Sequence, residues 1–344
     1  MNIFRVIFNS LGGKPKVRLA PYLSYGTYKR LHLLGRALDD DELKIKEEQS
    51  LWYTLKNTYK QFDADEIANA KVELELPDGK LLHTQTGSRG YFIFDADIES
   101  DLKPYTDEFG WVHMQTRFAE EVKDSIIGGD NQYEAQMLIP PATARFGVIS
   151  DIDDTLLHTG VTSFLKWRVL KNSLFKNAYD RIYLEGAPNL YQSLHKGVSG
   201  EDQNPMFYLS NSPWNLYEYL RLFLSVNNFP KGPILLRHFR TPFDRSTRPE
   251  KPHKQREILN LLQSYPDMKF ILIGDSGEHD PAIYTEIAER FPDRILAIYL
   301  RSVKHRRRMQ RVEGLINEFK TVPVLSVNHS DQAIEHARQL GLII

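Results

Sequence analysis

From Arg145 to Val327 the chain repeats one rhythm, a short apolar run followed by a stretch with helical spacing. The runs are "RFGVIS", "MFYLS", "PILLRHF", "KFILIG", "RILAIYL" and "VPVLSV". Segments such as "PWNLYEYLRLFLSVN", "PHKQREILNLLQSY" and "DPAIYTEIAERF" separate the last five of them. Strands alternating with helices imply right-handed crossovers, hence a parallel sheet with helices on both faces. The expected fold class of this part is α/β. In such sheets ligands bind beyond the carboxyl ends of the strands. That rule gathers "SDIDDT", "SNSPW" and "GDSGEHD" on one rim.

The preceding part reads differently. In "AKVELELPDGKLLHTQTGSRGYFIFDADI" the residues Val72, Leu74 and Leu76 alternate with Glu73 and Glu75, and the pattern turns at Pro77-Asp78-Gly79. A second strand is expected through Tyr91–Phe94, with further strands in "WVHMQTRFAEE" and "QYEAQMLIPP", as in a small β-sandwich. The segment "DELKIKEEQSLWYTLKNTYKQF" breaks the pattern with helical spacing of Leu51, Leu55 and Tyr59. A chain of 344 residues is long for one core. Two domains are expected: 1–143, β-rich, on the pattern of an Ig-like sandwich with a helical insert, and 144–344, the α/β domain. Within the second, 157–205 would form a cap-like or helical insert.

The chain has no cysteine, which excludes disulfides, thiol catalysis and thiolate zinc sites. Its formal net charge of -1 argues against a general nucleic-acid binder. Arg5 splits the apolar residues of the first segment, no signal-peptide core follows, and no run has transmembrane length. A cytoplasmic protein is expected.

Asp151, Asp153 and Asp154 crowd the end of the first run, with Thr155 directly after them. Alone, such a triplet reads as a solvated turn in which Asp154 or Thr155 caps a helix. Three later segments change that weighting. Ser210 stands just past a strand, where a hydroxyl and nearby backbone N–H groups can bind phosphate oxygens. Ser212, before Pro213, would instead suit a helix N-cap. Lys254 falls at the start of an expected helix, the positive end of its dipole, which an anion there would justify. Lys251 competes for that role. Gly274 permits a tight turn between the strand and the acids Asp275 and Asp280. A surplus of carboxylates requires a cation, and oxygen-only ligands select Mg²⁺ over zinc. An aspartate can also attack phosphorus to give an aspartyl-phosphate, while charge neutralisation and positioning supply the rest of phosphoryl transfer.

The ordered set resembles the haloacid-dehalogenase-like phosphatases, whose four motifs match Asp151/Asp153/Thr155, Ser210, Lys254 and Asp275/Asp280. "FGVISDIDDTLLHTGV", "MFYLSNSPWNLYEYLRLFL", "GPILLR", "HKQREIL" and "FILIGDSGEHDPAIYTEIAERFPDRILAIYLR" are similar to the phosphatidate phosphatase catalytic domain family named for the yeast actin-patch protein. The resemblance implies Asp151 as nucleophile and Asp153 as proton donor and then general base, with its backbone carbonyl on Mg²⁺. It implies that Ser210 and the Asn211 N–H hold the phosphoryl oxygens and that Lys254 neutralises charge. Asp275 becomes a Mg²⁺ carboxylate, and Asp280 a residue that orients metal-bound water or Lys254. The implied substrate is phosphatidate; a soluble phosphomonoester is the alternative, and a scaffold role for the β-rich part a third reading.

Two further segments bear on a lipid substrate. "TSFLKWRVLKNSLFKNAYDRIYL", residues 162–184, interleaves Phe164, Leu165, Trp167, Leu170, Leu174 and Phe175 with Lys166, Arg168, Lys171 and Lys176. Such a helix suits either a membrane interface or a core or cap element with a solvated face. Residues 301–311 carry six Lys/Arg and no acid, as an anionic membrane contact or a solvated helix start would.

Overall fold

The computed structural model of the chain describes residues 14–39, 67–152, 186–237, 251–276, 279–302 and 306–344. Two compact units divide the chain, Met1–Pro140 and Pro141–Ile344.

The first unit contains β1 (Lys16–Pro21), β2 (Ser24–Thr27), β3 (Arg30–Asp39), β4 (Lys71–Glu75), β5 (Leu81–Gln85), β6 (Tyr91–Asp97), β7 (Trp111–Phe118), β8 (Ile126–Ile127) and β9 (Tyr133–Leu138). These pair in the order β5-β4-β7-β9-β2-β3-β1-β8, and β6 adds to β3. Alternation along β4 sends Val72 and Leu74 fully into the core while Glu73 and Glu75 stay partly exposed, beside Arg117. Leu31 and Leu33, Phe92 and Phe94, and Val112 and Met114 join the same core. Strands far apart in the pairing order share these contacts, so the sheet curls around one interior.

Strand β5 offered only Leu81 and Leu82 as apolar residues, adjacent rather than alternating. It ends the pairing order, and Leu81, His83 and Gln85 are exposed, so little in its composition reports burial. The hairpin from β4 turns through Gly79 at φ 85°, a conformation glycine adopts without a Cβ clash. The helical spacing of residues 41–62 falls outside the described residues.

In the second unit the order is β10 (Gly147–Asp151), α1 (Ala187–Lys196), β11 (Met206–Pro213), α2 (Tyr217–Val226), β12 (Ile234–Arg237), α3 (His253–Ser264), β13 (Phe270–Asp275), α4 (Asp280–Arg290), β14 (Ile295–Arg301), α5 (Arg306–Glu318), β15 (Val324–Val327) and α6 (Ser330–Gln339). Each of the six apolar runs is a strand, and every pairing among them is parallel. The strand order is β12-β11-β10-β13-β14-β15. Right-handed crossovers assign α1 and α2 to one face and α3, α4 and α5 to the other. The packing agrees, since α1 lies on α6 and α3 on α4. Both faces being covered, β10 and β13 are buried along their whole length. Between these two neighbours the chain reverses its direction of travel across the sheet. A crevice forms at such a switch point, at the carboxyl ends of the strands. Among the described residues no helix is long and apolar enough to cross a membrane.

Leu272 is fully buried in β13, whereas Leu81 on β5 is 41% exposed. Urea denaturation should therefore find Leu272→Ala less stable by about 2–5 kcal/mol. Leu81→Ala should stay within about 0.5 kcal/mol of the parent chain.

Candidate active site

Asp151 and Asp275 are the last residues of β10 and β13, the two strands flanking the switch point. Both carboxylates are buried, Asp151 at 0% and Asp275 at 1% exposure. Helix α3 delivers Lys254 from its first turn, after Pro252. The Lys254 ammonium donates a hydrogen bond to Asp280 Oδ1 at 2.8 Å and stands 2.8 Å from Asp151 Oδ1 as an ion contact. A lysine at the positive end of a helix dipole is disfavoured alone; two carboxylates compensate it here.

Asp280 opens α4, where a negative charge favours the dipole. Its Oδ2 accepts the backbone N–H of Asp275 at 3.2 Å, so one carboxylate joins Lys254 to the end of β13. Gly274 lets it come so close, because a Cβ there would lie 2.5 Å from Asp280 Oδ2 and 2.7 Å from Tyr284 Cε2. Tyr284 closes the floor and donates to the Ile273 carbonyl at 3.0 Å. Burial first, then the Asp280 charge, holds its phenol well above the ordinary range, so it remains a neutral donor.

Ser210 is fully buried on β11, one residue beyond Leu209, the register partner of Asp151. Its Oγ accepts the Ser212 N–H at 2.9 Å, where the register of the strand becomes irregular. The expected N-cap by Ser212 does not form. Strand β11 continues through Pro213 with a register irregularity, a short 3₁₀ turn of Trp214–Leu216 follows, and α2 starts only at Tyr217. Asn211 and Ser212 are half-buried at this bend.

Of the expected site residues, the structure brings together Asp151, Lys254, Asp275 and Asp280, with Ser210 on the adjoining strand. Lys254, rather than the half-buried Lys251, is the lysine carried to these acids. Asp153, Asp154 and Thr155 lie outside the described residues, as do residues 162–184. The basic run at 301–311 is not one surface. Arg301 ends β14, only 7% exposed, with its Cα paired to that of Asp275, while α5 begins at Arg306. Arg301 was hidden by the basic residues after it; its position at the end of "ILAIYL" was the available signal. Ser150 and Tyr191 were also missed. Ser150 Oγ lies 2.5 Å from Tyr191 Oη and donates to the Asp151 carbonyl at 3.0 Å.

Among the described residues no group of three His, Asp or Glu side chains converges to hold a metal. Asp280 is directed at Lys254, which leaves Asp151 and Asp275 as carboxylates able to face a cation. An oxygen-only pair of this kind fits Mg²⁺, which binds through one or two carboxylates and completes its shell with water and phosphate oxygens.

Buried acids and a gripped lysine at a strand-end crevice are the arrangement in which α/β domains place ligand-binding or catalytic sites. Residues 146–302 match the family described as phosphatidate phosphatase APP1, catalytic domain. The chain is similar to the phosphatidate phosphatase APP1 of Saccharomyces cerevisiae, 40% identical over 160 residues, which are 45% of this chain and 25% of that protein. It is also similar to an uncharacterized protein of Schizosaccharomyces pombe, 29% identical over 290 residues, 83% of this chain and 42% of the relative. The chain thus spans under half the length of either relative.

A methyl group at Gly274 would collide with Asp280 and Tyr284. Gly274→Ala is expected to lower stability by about 1–3 kcal/mol through overpacking, measured by urea denaturation.

Proposed function

We propose that the second unit is a Mg²⁺-dependent phosphatidate phosphatase of the haloacid-dehalogenase-like type, acting through an aspartyl-phosphate on Asp151. The observation that carries this reading is the buried Asp151–Lys254–Asp280 cluster at the switch point, inside the segment that matches the catalytic-domain family.

In the first step an Asp151 carboxylate oxygen attacks phosphorus. The bond from phosphorus to the glycerol oxygen breaks, and Asp153 gives that oxygen a proton as diacylglycerol leaves. Lys254, 2.8 Å from Asp151, places its positive charge where the phosphoryl group becomes attached. Asp280 keeps the ammonium in place. The Ser210 hydroxyl and the Asn211 N–H hold phosphoryl oxygens from the adjoining strand. In the second step water attacks phosphorus and gives its proton to Asp153, Asp151 is regenerated, and inorganic phosphate departs. Asp151 and Asp275, with the backbone carbonyl of Asp153, would hold Mg²⁺, which supplies charge neutralisation between carboxylates and phosphate.

Because phosphatidate resides in a bilayer, the domain works docked on an anionic membrane surface. The curled N-terminal sheet is read as a sandwich-like accessory module.

Phosphate release from phosphatidate vesicles tests the proposal. Activity should require Mg²⁺, vanish with EDTA, and fall on the order of 10³-fold or more in Asp151→Asn. Full activity in Asp151→Asn would sink the mechanism. Release from soluble phosphomonoesters but not from vesicles would move the substrate to the soluble class.

A further inference from the structure

Ser150 carries a hydroxyl between the apolar start of strand β10 and its last residue, Asp151, and is 0% exposed. A buried hydroxyl is costly unless it is hydrogen-bonded. Ser150 Oγ donates to the backbone carbonyl of Asp151 at 3.0 Å. A serine has one hydroxyl proton, and that bond uses it. The 2.5 Å contact with Tyr191 therefore takes its proton from the phenol. The chain of donors runs in one direction, from Tyr191 O–H to Ser150 O–H to the Asp151 C=O.

Tyr191 is well placed to hold that direction. It projects from α1 and is 1% exposed. Its ring lies parallel to Tyr208, with centroids 6.4 Å apart, and meets Phe229 edge-on at 5.2 Å. Tyr208 sends its own hydroxyl to the Pro230 carbonyl at 2.7 Å, so it makes its hydrogen bond elsewhere. Burial first, and the Asp151 charge with it, raises the Tyr191 phenol well above its ordinary range, while the Ser150 bond and Arg301 act in the opposite sense. The phenol stays protonated and keeps donating.

Successive residues of a strand point to opposite faces. Asp151 turns its carboxylate to Lys254 on α3, while Ser150 turns to Tyr191 on α1 across the sheet. We infer that Tyr191 and Ser150 form a positioning relay, which fixes the peptide plane between Asp151 and Ile152 and thereby aims the Asp151 carboxylate at the incoming phosphorus. The inference rests on the reading of Asp151 as nucleophile. Neither hydroxyl touches substrate; both act through Asp151.

Two measurements on the full chain test the relay, using Tyr191→Phe, Ser150→Ala and the double variant. The first is steady-state hydrolysis of phosphatidate vesicles and of p-nitrophenyl phosphate. Each single variant should lose about tenfold in kcat with KM unchanged, because a misaimed nucleophile affects the reacting geometry rather than binding. The double variant should be no slower than the singles, since both break one chain. The second measurement is hydrogen exchange over residues 147–152, which needs no activity. Exchange should quicken in both single variants, without further gain in the double. Single variants with the parent kcat, or losses that multiply in the double, overturn the relay. Unchanged exchange overturns it as well, whatever the activity. If the parent chain hydrolyses neither substrate while exchange still quickens non-additively, the hydroxyl chain that fixes the Asp151 peptide stands, and the phosphatase reading falls together with the aiming role that rests on it.

Discussion

The contact of Lys254 with Asp151 and Asp280 is the constraint around which the second unit is arranged. An isolated buried charge is too costly to keep, and it persists only when partners arrive with good geometry. Here the partners come from β10, from the first turn of α3 and from the first residue of α4, three elements distant in sequence. Their meeting requires the chain to cross the sheet and return beside its starting strand. The reversal between β10 and β13 accomplishes this, and it opens the crevice at the point where the charges collect.

The same reversal gives Asp151 two environments. Its carboxylate faces the α3 and α4 side, where the lysine and a second acid are found. Its backbone carbonyl is held from the α1 side by hydroxyls with no charge of their own. Polarity for chemistry and rigidity for aim are thus supplied from different faces. Gly274 belongs to the first of these, because only a residue without a Cβ leaves room for Asp280 against the end of β13. Arg301 adds a guanidinium at the end of the next strand, in register with Asp275.

The first unit is built on another principle. Its sheet is not covered by helices in the described residues; it curls so that one face becomes the interior. Alternating strands such as β4 suit that role because only one of their faces is buried. Strands buried on both faces, such as β10 and β13, have continuous apolar runs instead.

Periodicity along the chain determined the broad architecture. Six apolar runs separated by helical stretches could bury themselves only as a parallel sheet with helices outside, and all six are strands. The residue types at the strand ends were equally legible, since Asp, Ser and Lys bring the same chemistry wherever they stand. Tertiary structure decided which groups meet. Lys254 and Lys251 were indistinguishable in sequence because both precede or begin the same helix, and only the packing of α3 carries Lys254 to Asp151. Ser212 had the credentials of a helix cap, yet β11 runs past it, because pairing with β12 outweighs a local capping preference. Arg301 read as part of a basic surface run until the register with β13 buried it. Tyr191 and Ser150, 41 residues apart, become neighbours through a crossover, and no local pattern records such a contact. Periodicity is a local property of the chain, whereas a buried charge or hydroxyl finds its partner through the path the chain takes across the sheet.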